Sequence, residues 1–474
     1  MKWASPPVDN LKISILLIFS VAALGCAHQN SRDSFPIEQQ AHVYESYIRA
    51  QMAHFSGDLS GAINHARQAL EEAPADADLT LFLGELLMLT DNSEEAVQVL
   101  EEGLSQHPQE LKLHLALAEA CRLNGEQEKV SSVLENAVLA FPHEAQAHLV
   151  LANHLAQEGQ TGQGISLLQA FLTGHHDAVE VWVELSAFYQ VEGQYDAAVT
   201  AIEVANRLLP NDEQILASLI NNLGLAGRLL EGREVLDLCV TRFRQSVSCP
   251  VSFLAHLQAG NTPDPEKVAV TTDILRNLGR AVGANISRLR SVERILYREL
   301  GPLSAFLFTE SLALDRPGNA QLQSMAAWSA YRNNQEDVAV SYMERGLEIR
   351  PNDADTLNFI GYSWAERGIR LDEAESMILR ALQIRPSDGN IQDSLGWVYY
   401  QMGSFEEAIY WLESAAAISN NNAVILVHLG DAFRATGNIA RAITSYEAAL
   451  PHADAELLEE IQERLRDIQN ENAS

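Results

Sequence analysis

Basic residues are scarce in this chain of 474. Lysine and arginine number 32 against 64 aspartates and glutamates, for a formal charge of −32. So acidic a surface repels phosphate backbones and anionic lipid, which argues against nonspecific nucleic-acid binding. Two readings of that charge stay open: a merely solvated surface, or one suited to basic or amphipathic partners. There are four cysteines. No two have CxxC spacing, so neither a dithiol redox motif nor a zinc site is encoded. GxxxxGK[ST], GxSxG and HExxH are all missing. His175 and His176 are adjacent and cannot face one ligand sphere, while His148 and His154 are six apart and do not share a helix face. No catalytic group, metal or cofactor is expected.

What is present is a repeat. Leu395-Gly396-Trp397-Val398-Tyr399 is followed by Gly403, Ala408, Leu412 and Ala415. The next stretch repeats the order with Leu429-Gly430, Phe433, Gly437, Ala442, Tyr446 and Ala449. The preceding one carries Gly361, Trp364, Gly368, Ala374, Ala381 and Pro386. Small residues at Gly396, Gly430, Ala408 and Ala442 suit close helix crossings, where a larger side chain overpacks. Gly403 and Gly437 suit a left-handed turn, and Pro351 and Pro386 end a second helix. Toward the N-terminus, Pro74, Pro108 and Pro142 are 34 apart, and Gly57, Gly125, Gly159, Gly193 and Gly227 keep the same register.

These residues resemble the tetratricopeptide repeat, a helix-turn-helix unit. The resemblance implies an all-α, right-handed superhelical solenoid of about ten to eleven such repeats. Six units are expected over 43–246, a degenerate repeat or joint over 247–285, and a second block over 286–456. Within the joint, Cys249-Pro250 and residues 260–265 read as turns. Residues 457–474 are expected to complete a polar capping helix and tail.

Residues 1–26 read as a targeting segment. The apolar run 13–24 is 12 residues, too short to span a bilayer comfortably. It ends in Ala22-Ala23-Leu24-Gly25-Cys26, which resembles the lipobox of bacterial lipoproteins. That resemblance implies cleavage before Cys26, acylation of its thiol, and outer-membrane sorting because Ala27 rather than Asp follows. Residues 27–42 would be a tether, with Pro36 barring any early helix. Outside the cytoplasm disulfides are permitted, and Cys239 and Cys249 lie ten residues apart around a helix end, so they are either bridged or free thiols. Cys121 reads as a small buried hydrophobe on a first helix.

In this family the first helix of each unit lines a concave face. Carried onto the C-terminal block, groove positions are Trp328 and Tyr331, Asn358 and Tyr362, Asp393, Trp397 and Tyr400, and Asp431 and Arg434. Aromatics there offer rigid apolar area and the polar residues offer hydrogen bonds, which suits a peptide or a helix of another protein. The alternative is that they fill gaps between helices. Tyr47, Glu85, Glu119, Arg122 and Asn153 hold equivalent places in the N-terminal block. The chain therefore resembles noncatalytic, lipid-anchored envelope scaffolds, including adaptors that bring a processing protease to its substrates. An assembly factor for a pilus, secretion or polysaccharide-export machine is the competing expectation. A hydrolase hidden in 247–285 would rest on His256 alone.

Overall fold

The computed structural model describes residues 37–258, 265–419 and 422–473. Cys26, the rest of the targeting segment and most of the tether lie outside these residues, as do residues 260–264. Among the described residues there are 25 α-helices and no strand.

The first unit, through Glu192, holds four helical hairpins and a ninth helix. The hairpins are α1 (Ile37–Phe55) with α2 (Leu59–Glu72), α3 (Ala77–Met88) with α4 (Ser93–Gln106), α5 (Leu111–Leu123) with α6 (Gln127–Ala140), and α7 (Ala145–Gln157) with α8 (Thr161–Gly174). Helix α9 is Val179–Val191. The second unit, from Gly193, opens with α10 (Tyr195–Leu208) and α11 (Glu213–Leu225) paired with α12 (Leu229–Arg242). The expected joint is a real pair, α13 (Ser248–Leu257) and α14 (Pro265–Val282), but a splayed one. Helix α13 lies mainly on α11, and α14 mainly on α16 (Pro302–Asp315), the partner of α15 (Ile286–Leu300). Next come α17 (Ala320–Arg332) with α18 (Glu336–Ile349), α19 (Ala354–Glu366) with α20 (Leu371–Ile384), α21 (Gly389–Gln401) with α22 (Phe405–Ile418), and α23 (Ala423–Ala435) with α24 (Ile439–Ala449). Helix α25 (Ala455–Ala473) closes the unit.

Two boundaries differ from the sequence reading. Helix α1 begins at Ile37, so residues 37–42 are its first turns and not tether. Cys249-Pro250 is not a turn but the first turn of α13, a position that tolerates proline.

The crossings explain the small residues. A Cβ on Gly361 would lie 2.6 Å from Ile378 Cγ1 and 3.0 Å from the Ala374 carbonyl oxygen. On Gly396 it would lie 2.6 Å from Leu412 Cγ. Ala374, Ala408 and Ala442 are completely buried on the facing helices. The turn glycines take positive φ, as at Gly403 (77°) and Gly437 (75°). Asp91 (56°) and Asn334 (57°) adopt the same conformation in the same register, which short polar side chains tolerate. From Gly368 to Gly403 the spacing is 35 rather than 34. The extra residue sits in the turn before α20, where Arg370 has φ 50° and lays its guanidinium 3.9 Å from the Trp364 ring centre. First helices start on side-chain caps the repeat pattern had not flagged. Asp76, Asp212, Asn319, Asp353, Asp388 and Asn422 each accept from N–H groups of the first turn.

Candidate protein-docking face

The predicted groove residues, together with Ser324 and Ala365 at matching positions, fall in three columns on successive first helices. One runs Ser324, Asn358, Asp393; the second Trp328, Tyr362, Trp397, Asp431; the third Tyr331, Ala365, Tyr400, Arg434. The columns repeat at the unit spacing, so each position faces the same way on its helix.

Their surroundings divide them. Trp328 and Tyr331 on α17 are 49% and 36% exposed. Both rings pack edge-on against Phe359 of α19, at 4.9 and 5.8 Å. Phe359 therefore holds the two aromatics upright without covering them. Beside them Tyr362 is half-buried, and burial followed by the Glu366 and Asp393 carboxylates pushes its hydroxyl pKa up. Asn358 Oδ1 is buried and has no hydrogen-bond partner.

Farther along, the predicted residues are engaged with one another. Asp393 is only 7% exposed and accepts a 2.9 Å hydrogen bond from His428 Nδ1. Burial opposes the imidazolium, but Asp393 outweighs it, so the net shift of the His428 pKa is upward. Trp397 is sandwiched between Tyr400 (4.7 Å) and His428 (4.2 Å), and its indole nitrogen is buried without a partner. Asp431 accepts from Tyr446 Oη (2.6 Å) and from Arg464 Nε of α25 (3.1 Å). Arg434 is half-buried. Asp393, Trp397 and Asp431 thus sit in a packed polar and aromatic cluster, while Trp328 and Tyr331 present themselves to solvent. Phe359, His428 and Arg464 were not anticipated. The offset of His428 by one position from the Asp393 column was the one available signal.

The N-terminal counterparts satisfy themselves. Tyr47 packs edge-on against Phe82 at 5.5 Å, Arg122 Nε donates to Glu119 at 2.7 Å, and Asn153 donates to the Leu149 carbonyl at 3.0 Å. Burial raises the pKa of Glu85. His143 and His175 approach to 3.2 Å, but no group of three metal-ligating side chains exists among the described residues. Cys239 and Cys249 are joined, with Cα atoms 6.5 Å apart. Cys121 is free and buried on α5, and burial raises its thiol pKa. A cleft of about 200 Å3 among α12, α13 and α14 is lined by Leu236, Val240, Pro250 and Ile274. It is smaller than the roughly 300 Å3 at which small-molecule sites begin. No helix of the described residues is long and apolar enough to cross a membrane.

Residues 56–121 and 423–450 match tetratricopeptide-repeat family models. No curated protein matches the chain. Among solved structures it is similar to yeast Tom70, at 14% identity and a TM-score of 0.33, over 92% of this chain and 97% of that one. It is also similar to TTC0263, a thermophilic TPR protein of Thermus thermophilus, at 16% identity and a TM-score of 0.34, over 39% of this chain and 99% of that one. MamA 41-end from Desulfovibrio magneticus RS-1 aligns at 16% identity and a TM-score of 0.32, over 38% of this chain and 98% of that one. The repeats mark a protein-interaction scaffold, of a kind that is typically noncatalytic and whose partners are other proteins.

Proposed function

We propose that the chain is a noncatalytic scaffold, lipid-anchored through Cys26 to the bacterial outer membrane and facing the periplasm. There it holds peptide or helical segments of envelope proteins, and one such pair is a processing protease and its substrate. The observation that carries the docking half of this reading is the exposed pair Trp328 and Tyr331, held by Phe359. Upright, half-exposed aromatics on a rigid frame are what interface anchors look like, because they bury much area at little entropic cost. Support for the anchor is the sequence Ala22-Ala23-Leu24-Gly25-Cys26, which precedes the first repeat by few residues. Holding two proteins on one anchored frame raises their mutual concentration without new chemistry.

The test is a cross-linked pull-down from membranes with wild type and with Trp328→Ala/Tyr331→Ala. Recovery of a soluble protease that the double variant loses supports the adaptor. Recovery of an outer-membrane channel would shift the assignment to an assembly factor. Equal capture by both proteins would remove the docking face. For the anchor, Cys26→Ser should move the protein to the soluble fraction, and unchanged membrane retention would defeat it.

A further inference from the structure

The three columns extend one unit toward the N-terminus. At 34-residue spacing, Arg290 of α15 falls in the column of Ser324 and Asn358, Arg294 in that of Trp328, and Tyr297 in that of Tyr331. Both arginines are exposed, and Tyr297 is 39% exposed. Among the described residues neither arginine has a carboxylate partner. Arg294 makes a long 3.5 Å contact to Ser291 Oγ. Many of the other arginines of the chain pair with Asp or Glu, as expected where acids outnumber bases two to one. Arg290 and Arg294 therefore place positive charge without an ion-pair partner on the docking face.

Its neighbour is fixed differently. Arg332 donates to the buried Glu293, which also accepts from Ser329 Oγ at 3.2 Å. The guanidinium of Arg332 lies 4.8 Å from the centre of the Tyr297 ring. Tyr297 is thus clamped from one side and open on the other. Tyr331 has the opposite electrostatic setting: burial first, then Glu366 and Glu336, raise its pKa. The face is polar along its length, positive at α15 and negative toward α19.

We propose that this face receives an acidic segment of another protein. Its carboxylates meet Arg290 and Arg294, and an aromatic or aliphatic residue beside them lies on Tyr297, Trp328 and Tyr331. The proposal rests on the docking-face reading and adds the chemistry of the partner. Charge complementarity selects the acidic segment, and the short span of positive charge selects a peptide over a polyphosphate. Nucleic acid carries a charge about every 1.7 Å of duplex, so it would run onto Glu336 and Glu366 and the acidic remainder of the surface.

The experiment exposes the full chain to an array of random twelve-residue peptides. Wild type should capture peptides enriched in Asp and Glu next to aromatic residues, with capture weakening as salt rises. Arg290→Gln/Arg294→Gln should lose that enrichment and weaken the best acidic peptide by about tenfold, the worth of two partly exposed charge pairs. Circular dichroism should be unchanged, because both side chains are exposed. Trp328→Ala/Tyr331→Ala should lose all capture. Absence of capture by wild type, capture without acidic enrichment, or enrichment that survives the arginine changes would overturn the proposal. So would arginine-dependent capture of single-stranded RNA or phosphatidylglycerol vesicles in place of peptides. If only the aromatic variant loses capture, the docking face stands and the acidic partner falls. If neither variant does, both fall.

Discussion

Replacing Gly361 and Gly346 by alanine should have opposite effects, although both glycines lie inside helices of neighbouring hairpins. Alanine is favoured over glycine within a helix by about 1 kcal/mol. At Gly346 a new Cβ would meet nothing nearer than Gln323 Cβ at 3.7 Å, so the gain is kept. At Gly361 the Cβ would be driven to 2.6 Å from Ile378 Cγ1 and 3.0 Å from the Ala374 backbone oxygen. The isoleucine can shift only by disturbing a fully buried site, and the carbonyl belongs to α20 itself. Overpacking of this kind costs about 1–3 kcal/mol, so Gly361→Ala ends net destabilised by up to about 2 kcal/mol. Repeat arrays often lose strict two-state behaviour, so the sensitive measurement is local. Native-state hydrogen exchange of α19 and α20 amides should speed up in Gly361→Ala, and that of α17 and α18 amides should slow or hold in Gly346→Ala. Equal or greater protection in Gly361→Ala would refute the steric account of the crossing.

The remaining predictions concern a pair, a bridge and a turn. His428 has a pKa raised in the fold, so the stability it contributes is complete below the ordinary imidazole value and is lost as pH rises through the raised one. Thermal melts of wild type should therefore weaken relative to Asp393→Asn as pH is raised above about 6.5, and parallel profiles would count against the pair. Mass spectrometry without reduction should find Cys239 linked to Cys249, and closing so short a loop should contribute about 3 kcal/mol, read by comparing melts of wild type and Cys239→Ser/Cys249→Ser. Asn334→Val should cost about 1–2 kcal/mol at its positive φ while Asn334→Gly should not, as measured by denaturant midpoints.

Much of the backbone was legible because certain positions admit few residue types. Gly403 and Gly437 are needed for a left-handed turn, and Gly361 and Gly396 for a close crossing, so composition alone exposes the period. Where chemistry allows substitutes, the signal faded: Asp91 and Asn334 fill the same turn position and look like ordinary polar residues. The docking face was legible only in outline. Column membership follows from spacing, but exposure depends on what the next helix brings. Asp431 is taken up by Arg464, 33 residues away on α25, and Asp393 by His428. Nothing in a repeat register announces those partners. Arg290 and Arg294 are hard to read from sequence for the converse reason, since α15 lacks the crossing glycine that marks α19, α21 and α23.

The 35-residue unit has a practical corollary for anyone who shuffles these modules. An α-helix turns about 100° per residue, so one surplus residue inside α19 would carry Gly361 away from its neighbour and swing a bulkier side chain into the gap. Lodged at the bend ahead of α20, the same residue leaves both helices in phase. Chimeras cut at a uniform 34-residue pitch would drift out of frame past Gly368, placing each later junction one position early and severing helices from the Asp388 and Asn422 caps that start them.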